Sequence, residues 1–171
     1  RAAIVWCCAP RFDSDPIFHS LLGNAAGTQQ DGVFSVELEG FARSEQAYDS
    51  STAVVRTRLF DTAGEGIEVV DFCPRFLNRD RSFRPAQIVR RVRPLVGHPR
   101  VRFIVRPRGQ WGTAAPEITR GSNHLRFILP AGVLRLNTNA PLTYVLDSTW
   151  FSLQVPVSLL LGPDETLSAG I

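Results

Sequence analysis

Hydrolysis by general acid and base needs two groups facing one another across a substrate, so the carboxylate pairs are the first residues to weigh. Glu37 and Glu39 stand at spacing two in an alternating run and read as a solvated strand edge. Asp13 and Asp15 flank Ser14, where helix capping accounts for them. Neither pair reads as a catalytic dyad. His19, His98 and His124 are isolated and share no metal-ligand spacing with Cys7, Cys8 or Cys73. The sequence holds no G-x-S-x-G elbow, no P-loop and no G-x-G-x-x-G. No catalytic residue, metal site or cofactor is therefore expected.

The remaining chemistry is cationic and aromatic. All 19 basic residues are arginine, and eleven of them fall between Arg75 and Arg108 against a single acid, Asp80. Guanidinium forks suit phosphate, which raises nucleic acid or another anion as a ligand. Arg91 with Arg93, Arg100 with Arg102 and Arg106 with Arg108 nevertheless sit at spacing two, as on the outer face of a strand, where acids elsewhere in the fold would neutralise them. No nucleic-acid partner is expected. Of the three tryptophans, Trp6 and Trp150 lie in strand patterns and read as core, whereas Trp111, in Gln110-Trp111-Gly112, reads as a loop residue able to stack on a sugar ring. An odd number of cysteines, two of them adjacent, argues against a disulfide framework and for a reducing, cytoplasmic setting.

The segments that carry these side chains alternate with a period of two. Phe34, Val36 and Leu38 alternate with polar residues; 53–60 and 67–72 read as a hairpin around Gly64 and Gly66. Val101 to Val105, Leu125 to Leu129, Val133 to Leu136 and Leu142 to Leu146 read as further strands, and Phe151 to Leu159 as one long strand with Pro156 at an edge or bulge. The only helical signal is Ser14 to Gly23, with Ser14 as cap, Pro16 in the first turn and Gly23 as the stop. The fold expected is all-β, an antiparallel β-sandwich with one short helix, spanning 1–171 as a single domain. No run approaches the roughly 20 apolar residues of a membrane span, so no membrane partner is expected. The chain opens on Arg1 and directly on an apolar run, which suggests a fragment of a longer polypeptide.

Trp6-Cys7-Cys8-Ala9-Pro10-Arg11-Phe12-Asp13-Ser14, then Pro16, Phe18 and Leu21-Leu22, resembles the N-terminal domain of bacterial glycoside hydrolase family 15 proteins of the glucoamylase and trehalase type. Gly32 to Val36, Val54 to Leu59, Val70-Asp71-Phe72-Cys73-Pro74 and the arginine-bearing strands at 88–92 and 101–109 continue the likeness in order. The resemblance implies an N-terminal super-β-sandwich joined to an (α/α)6 barrel. That barrel carries the two glutamates that hydrolyse α-glucosidic bonds with inversion, and they have no counterparts here. It implies that the chain alone is inactive, that its partner is the barrel of the same polypeptide, and that a carbohydrate substrate is reached through that barrel. Arg11, Phe12, Asp13 and Ser14 then either shape their own loop, through an arginine–carboxylate fork and a buried ring, or join Asp71, Pro74 and Arg75 as the face docked on the barrel. Two alternatives stand beside this: a free-standing carbohydrate-binding module using Trp111, and an arginine-rich anion-binding domain. A homo-oligomer is compatible with each.

Overall fold

The computed structural model describes residues 2–23 and 31–164. In chain order its strands begin with β1 (Ala2–Ile4), β2 (Cys7–Cys8), β3 (Pro16–Phe18), β4 (Val33–Leu38), β5 (Phe41–Tyr48), β6 (Val55–Asp61) and β7 (Gly66–Phe72). They continue with β8 (Phe76–Asn78), β9 (Arg81–Phe83), β10 (Ile88–Val96), β11 (Arg100–Arg106), β12 (Glu117–Arg120), β13 (His124–Leu129) and β14 (Gly132–Thr138). After helix α1 (Leu142–Leu146) come β15 (Phe151–Ser152) and β16 (Val157–Pro163).

Two antiparallel sheets make the sandwich: a small one in the order β1-β4-β11-β15 and a large one in the order β12-β13-β14-β16-β10-β7-β6-β5. The alternation read in the sequence does the work. Phe34, Val36, Val101 and Phe103 of the small sheet meet Leu59, Ile67, Val69, Val92, Leu136 and Leu159 of the large one in a shared core. Burial of each such side chain is worth about 1.5–3 kcal/mol, which makes the inner faces the main stabilising layer. The hairpin expected around Gly64 is the β6–β7 pair, Arg58 opposite Glu68. Among the described residues no helix is long and apolar enough to cross a membrane.

Three local readings change. The segment expected as a helix from Ser14 to Gly23 is instead β3 paired with β2, Cys7 opposite Phe18, followed by one 3-10 turn at Ser20–Leu22. Pro16, Ile17 and Phe18 are all buried while Leu21 and Leu22 face solvent, so no single helical stripe is covered, and pairing with β2 wins. Leu142–Leu146, expected as a strand, is the α-helix; a five-residue apolar run does not distinguish the two by period, and Pro141 begins the turn, its carbonyl accepting from Tyr144 N–H at 3.0 Å. The long strand from Phe151 breaks into β15 in the small sheet and β16 in the large one, with the chain crossing between sheets at residues 153–156. Ser35, one of the polar residues that alternate with Phe34, Val36 and Leu38, is buried, in register between Ala3 of β1 and Ile104 of β11.

Candidate functional site

Among the large apolar side chains left exposed, Val5, Trp6, Leu21, Leu22 and Trp111 lie on three short segments that a backbone hydrogen bond and a ring pair bring together. Leu21 N–H donates to Val5 O at 3.1 Å, which draws the 3-10 turn against the segment carrying Trp6. Trp6, expected in the core, is 40% exposed, and its ring meets that of Trp111, 59% exposed, at 6.3 Å between centroids and 52° between planes. Trp150, also expected in the core, is half-buried at the surface with the Arg102 guanidinium 4.6 Å over its ring.

The turn that presents Trp111 is built under constraint. Gln110 (φ 50°) and Trp111 (φ 55°) both take the left-handed region, which costs a residue with a side chain about 1 kcal/mol or more, and the Gly109–Ala114 bridge closes the turn. Beneath it lies His19, buried, with Nε2 lacking a hydrogen-bond partner among the described residues. Gly32 and Gly112 clamp its ring: a Cβ on either would come within 2.6 Å of an imidazole atom, and both have positive φ (63° and 96°). The tryptophan corner therefore rests on a close-packed histidine.

The Arg11–Ser14 loop lies between β2 and β3. Arg11 Nε and Nη2 donate to the two Asp13 oxygens at 2.8 and 3.1 Å, and Arg11 N–H donates to Ser14 Oγ at 3.3 Å. Ser14 thus closes the turn before it rather than capping a helix after it. The Arg11 guanidinium holds the Asp13 carboxyl below its ordinary value. The ring expected to be buried is not: Phe12 is 89% exposed. Ala9 and Pro10 wall a groove of about 860 Å³ shared with Ile17, Leu129 and Leu134.

Among the described residues no hydrogen bond or ion pair joins Asp71, Pro74 or Arg75 to this loop. Asp71 accepts from Arg90 Nε at 2.7 Å and Nη2 at 2.9 Å. The Arg90 side chain, 1% exposed, also donates to Ala2 O and Phe34 O from Nη1 and lies 4.6 Å over the Phe34 ring, so it ties β10 of the large sheet to β1 and β4 of the small one. Pro74 and Arg75 instead line a second groove of about 860 Å³ with Val54, Phe72, Phe76 and Pro85. The nearby cysteines are free thiols; burial first, then Cys73 and Cys8, push Cys7 up to about 11, which keeps it protonated and poorly nucleophilic at neutral pH.

Residues 1–143 match the family model described as trehalase-like, N-terminal. The chain belongs to this family. No curated protein and no solved structure shows a match to it. In this trehalase-like N-terminal domain several arginines of the 75–108 stretch pair with acids of the same fold. Arg93 meets Glu68, Arg100 meets Glu39, Arg102 meets Glu37 and Arg108 meets Asp31, each at 2.6–2.8 Å. Glu37 is therefore the cross-strand partner of Arg102 on an interior strand, and Glu39, just past the end of β4, pairs with Arg100, so the two are not a free edge.

Two residues of consequence were not singled out by sequence reasoning. Arg90 is one of eleven similar arginines, and only its alternation with Val92 on the inward face could have separated it. Glu68, 1% exposed, lies on the outward face of β7 under Arg56, Arg58 and Arg93. Burial acts to raise its carboxyl, but the Arg93 bond with the Arg58 and Arg56 interactions outweighs it and holds the group below its ordinary value.

Proposed function

We propose that this chain is the non-catalytic N-terminal domain of a trehalase-like glycoside hydrolase, packing against and supporting the (α/α)6 barrel that carries the two catalytic glutamates. The whole enzyme then cleaves an α-glucoside such as trehalose or an α-glucan with inversion. The observation that carries the reading is the apolar surface of Val5, Trp6, Leu21, Leu22 and Trp111 on a trehalase-like N-terminal domain. Contiguous exposed apolar side chains of this size mark a surface that another part of a protein covers. The continuous core from Ala2 to Leu161 supports treating 1–171 as one domain, and three free cysteines support a cytoplasmic setting.

Glucose release from trehalose and from soluble α-glucan, compared at equal concentration for this chain and the complete gene product, tests the reading. Activity confined to the complete product supports it; activity in the 171-residue chain overturns it. The Trp6–Trp111 corner on its constrained turn favours one second reading, a carbohydrate-binding module. Calorimetric binding of malto-oligosaccharides by this chain, lost in Trp111→Ala, would support that reading instead.

A further inference from the structure

Between β7 and β10 the chain leaves the sandwich and forms a separate ribbon. Among the described residues β8 and β9 pair only with one another, Phe76 opposite Phe83 and Leu77 opposite Ser82. An isolated two-stranded hairpin is marginal in water, and this one turns its apolar side chains outward. The Phe76 and Phe83 rings stack at 5.3 Å yet both remain exposed, and Leu77 is 78% exposed. The two turn residues, Arg79 (φ 47°) and Asp80 (φ 61°), are both left-handed, the type I′ geometry that Asn-Gly adopts with least strain. Arginine and aspartate stand at the tip where asparagine and glycine would fit with less strain.

The charges on the ribbon differ from those on the sheets. On the sheets Arg90, Arg93, Arg100 and Arg102 each hold a carboxylate, as does Arg108 just after β11, whereas Arg91 and Arg106 hold none among the described residues. Arg75, Arg79, Arg81 and Arg84 are exposed, and among the described residues none of them meets a carboxylate; Arg84 Nε donates only to Ser82 Oγ at 3.0 Å. Four arginines against Asp80 leave the hairpin strongly cationic. At its base lies the groove of about 860 Å³ lined by Val54, Phe72, Pro74 and Pro85, with Arg75, Phe76 and Arg84 common to groove and hairpin.

We propose that the Phe76–Phe83 hairpin is a docking arm for a protein surface that offers apolar side chains flanked by carboxylates. Resting on the reading above, that surface belongs to the downstream catalytic domain. The concave groove accepts projecting side chains, as a folded protein presents and a flat bilayer does not. The unpaired guanidinium groups are suited to bidentate bonds with carboxylates, the same pairing that the sheet arginines make within the fold.

Hydrogen exchange on the complete gene product tests this, followed for peptides spanning 74–85 in the wild type, in Arg79→Glu with Arg81→Glu, and in Leu77→Asp. These three positions face solvent, so circular dichroism should leave the variants' sandwich unchanged. The expected result is that both variants exchange the hairpin amides at least about tenfold faster than the wild type, as local opening costs less once docking contacts are lost. Equal exchange in wild type and variants overturns the arm. If peptides around Val5–Leu22 are protected while the hairpin is not, the domain docks by the tryptophan corner: the arm fails and the domain reading stands. A gene product without a second domain overturns both. Hairpin protection that appears only on adding anionic phospholipid vesicles or polyuridylate RNA assigns the arm to a membrane or a nucleic acid and overturns the proposal.

Discussion

Arg90 is the residue on which the two sheets depend together. Its guanidinium is withdrawn from water and satisfied by one carboxylate and two backbone carbonyls, so removing the carboxylate leaves a buried charge short of partners. Asp71→Ala is expected to cost about 3 kcal/mol in urea denaturation of this chain, and Asp71→Asn, which keeps one acceptor oxygen, less. Glu68 makes a prediction in pH. Its carboxyl lies below its ordinary value of 4.5 in the fold, so the stability it contributes is complete above that value and is lost as pH falls through the lower, folded value. The urea midpoint should therefore decline on acidification below about pH 4.5, and Glu68→Gln should reduce that decline. Its guanidinium neighbours are partly exposed, so salt should weaken the effect.

Among elements, the crossing between β15 and β16 shows best how placement overrides pattern. Phe151, Leu153, Val155, Val157 and Leu159 alternate without a break in the sequence, yet Leu153 is buried and Val155 exposed, because the chain changes sheets there. Pro156 ends the crossing, and Asn139 fixes the chain as it enters β16: its Nδ2 donates to Pro156 O at 3.0 Å and its Oδ1 accepts from Ser158 N–H at 2.8 Å. Leu153→Ala is expected to destabilise by about 2–5 kcal/mol, the range for a buried leucine cut to alanine. Val155→Ser, at an exposed position, should stay within about 0.5 kcal/mol by the same denaturation measurement. Had the alternation continued as one strand, the two substitutions would be equally costly. The same competition decided β3, where a run with cap, proline and stop in helical order is drawn into pairing with β2 because that pairing buries Ile17 and Phe18.

At the scale of the whole molecule the two sheets are unequal, four strands against eight, and β5 at the far edge of the large sheet is exposed along nearly its whole length. The surfaces that the sandwich cannot cover from within, the tryptophan corner and the 76–83 hairpin, are those to which the proposals assign a partner. The all-β class, the hairpin around Gly64, the alternating faces and the family likeness were all legible in the sequence, because side chains of a strand alternate with period two and that period is written locally. The exposure of Trp6 and Phe12, the pairing of Asp71 with an arginine 19 residues on, the burial of Glu68 and the sheet each strand joins were not. Each of these depends on which distant segment lies across from a residue, and only the packed fold sets how much water that residue keeps and which charge stands opposite it.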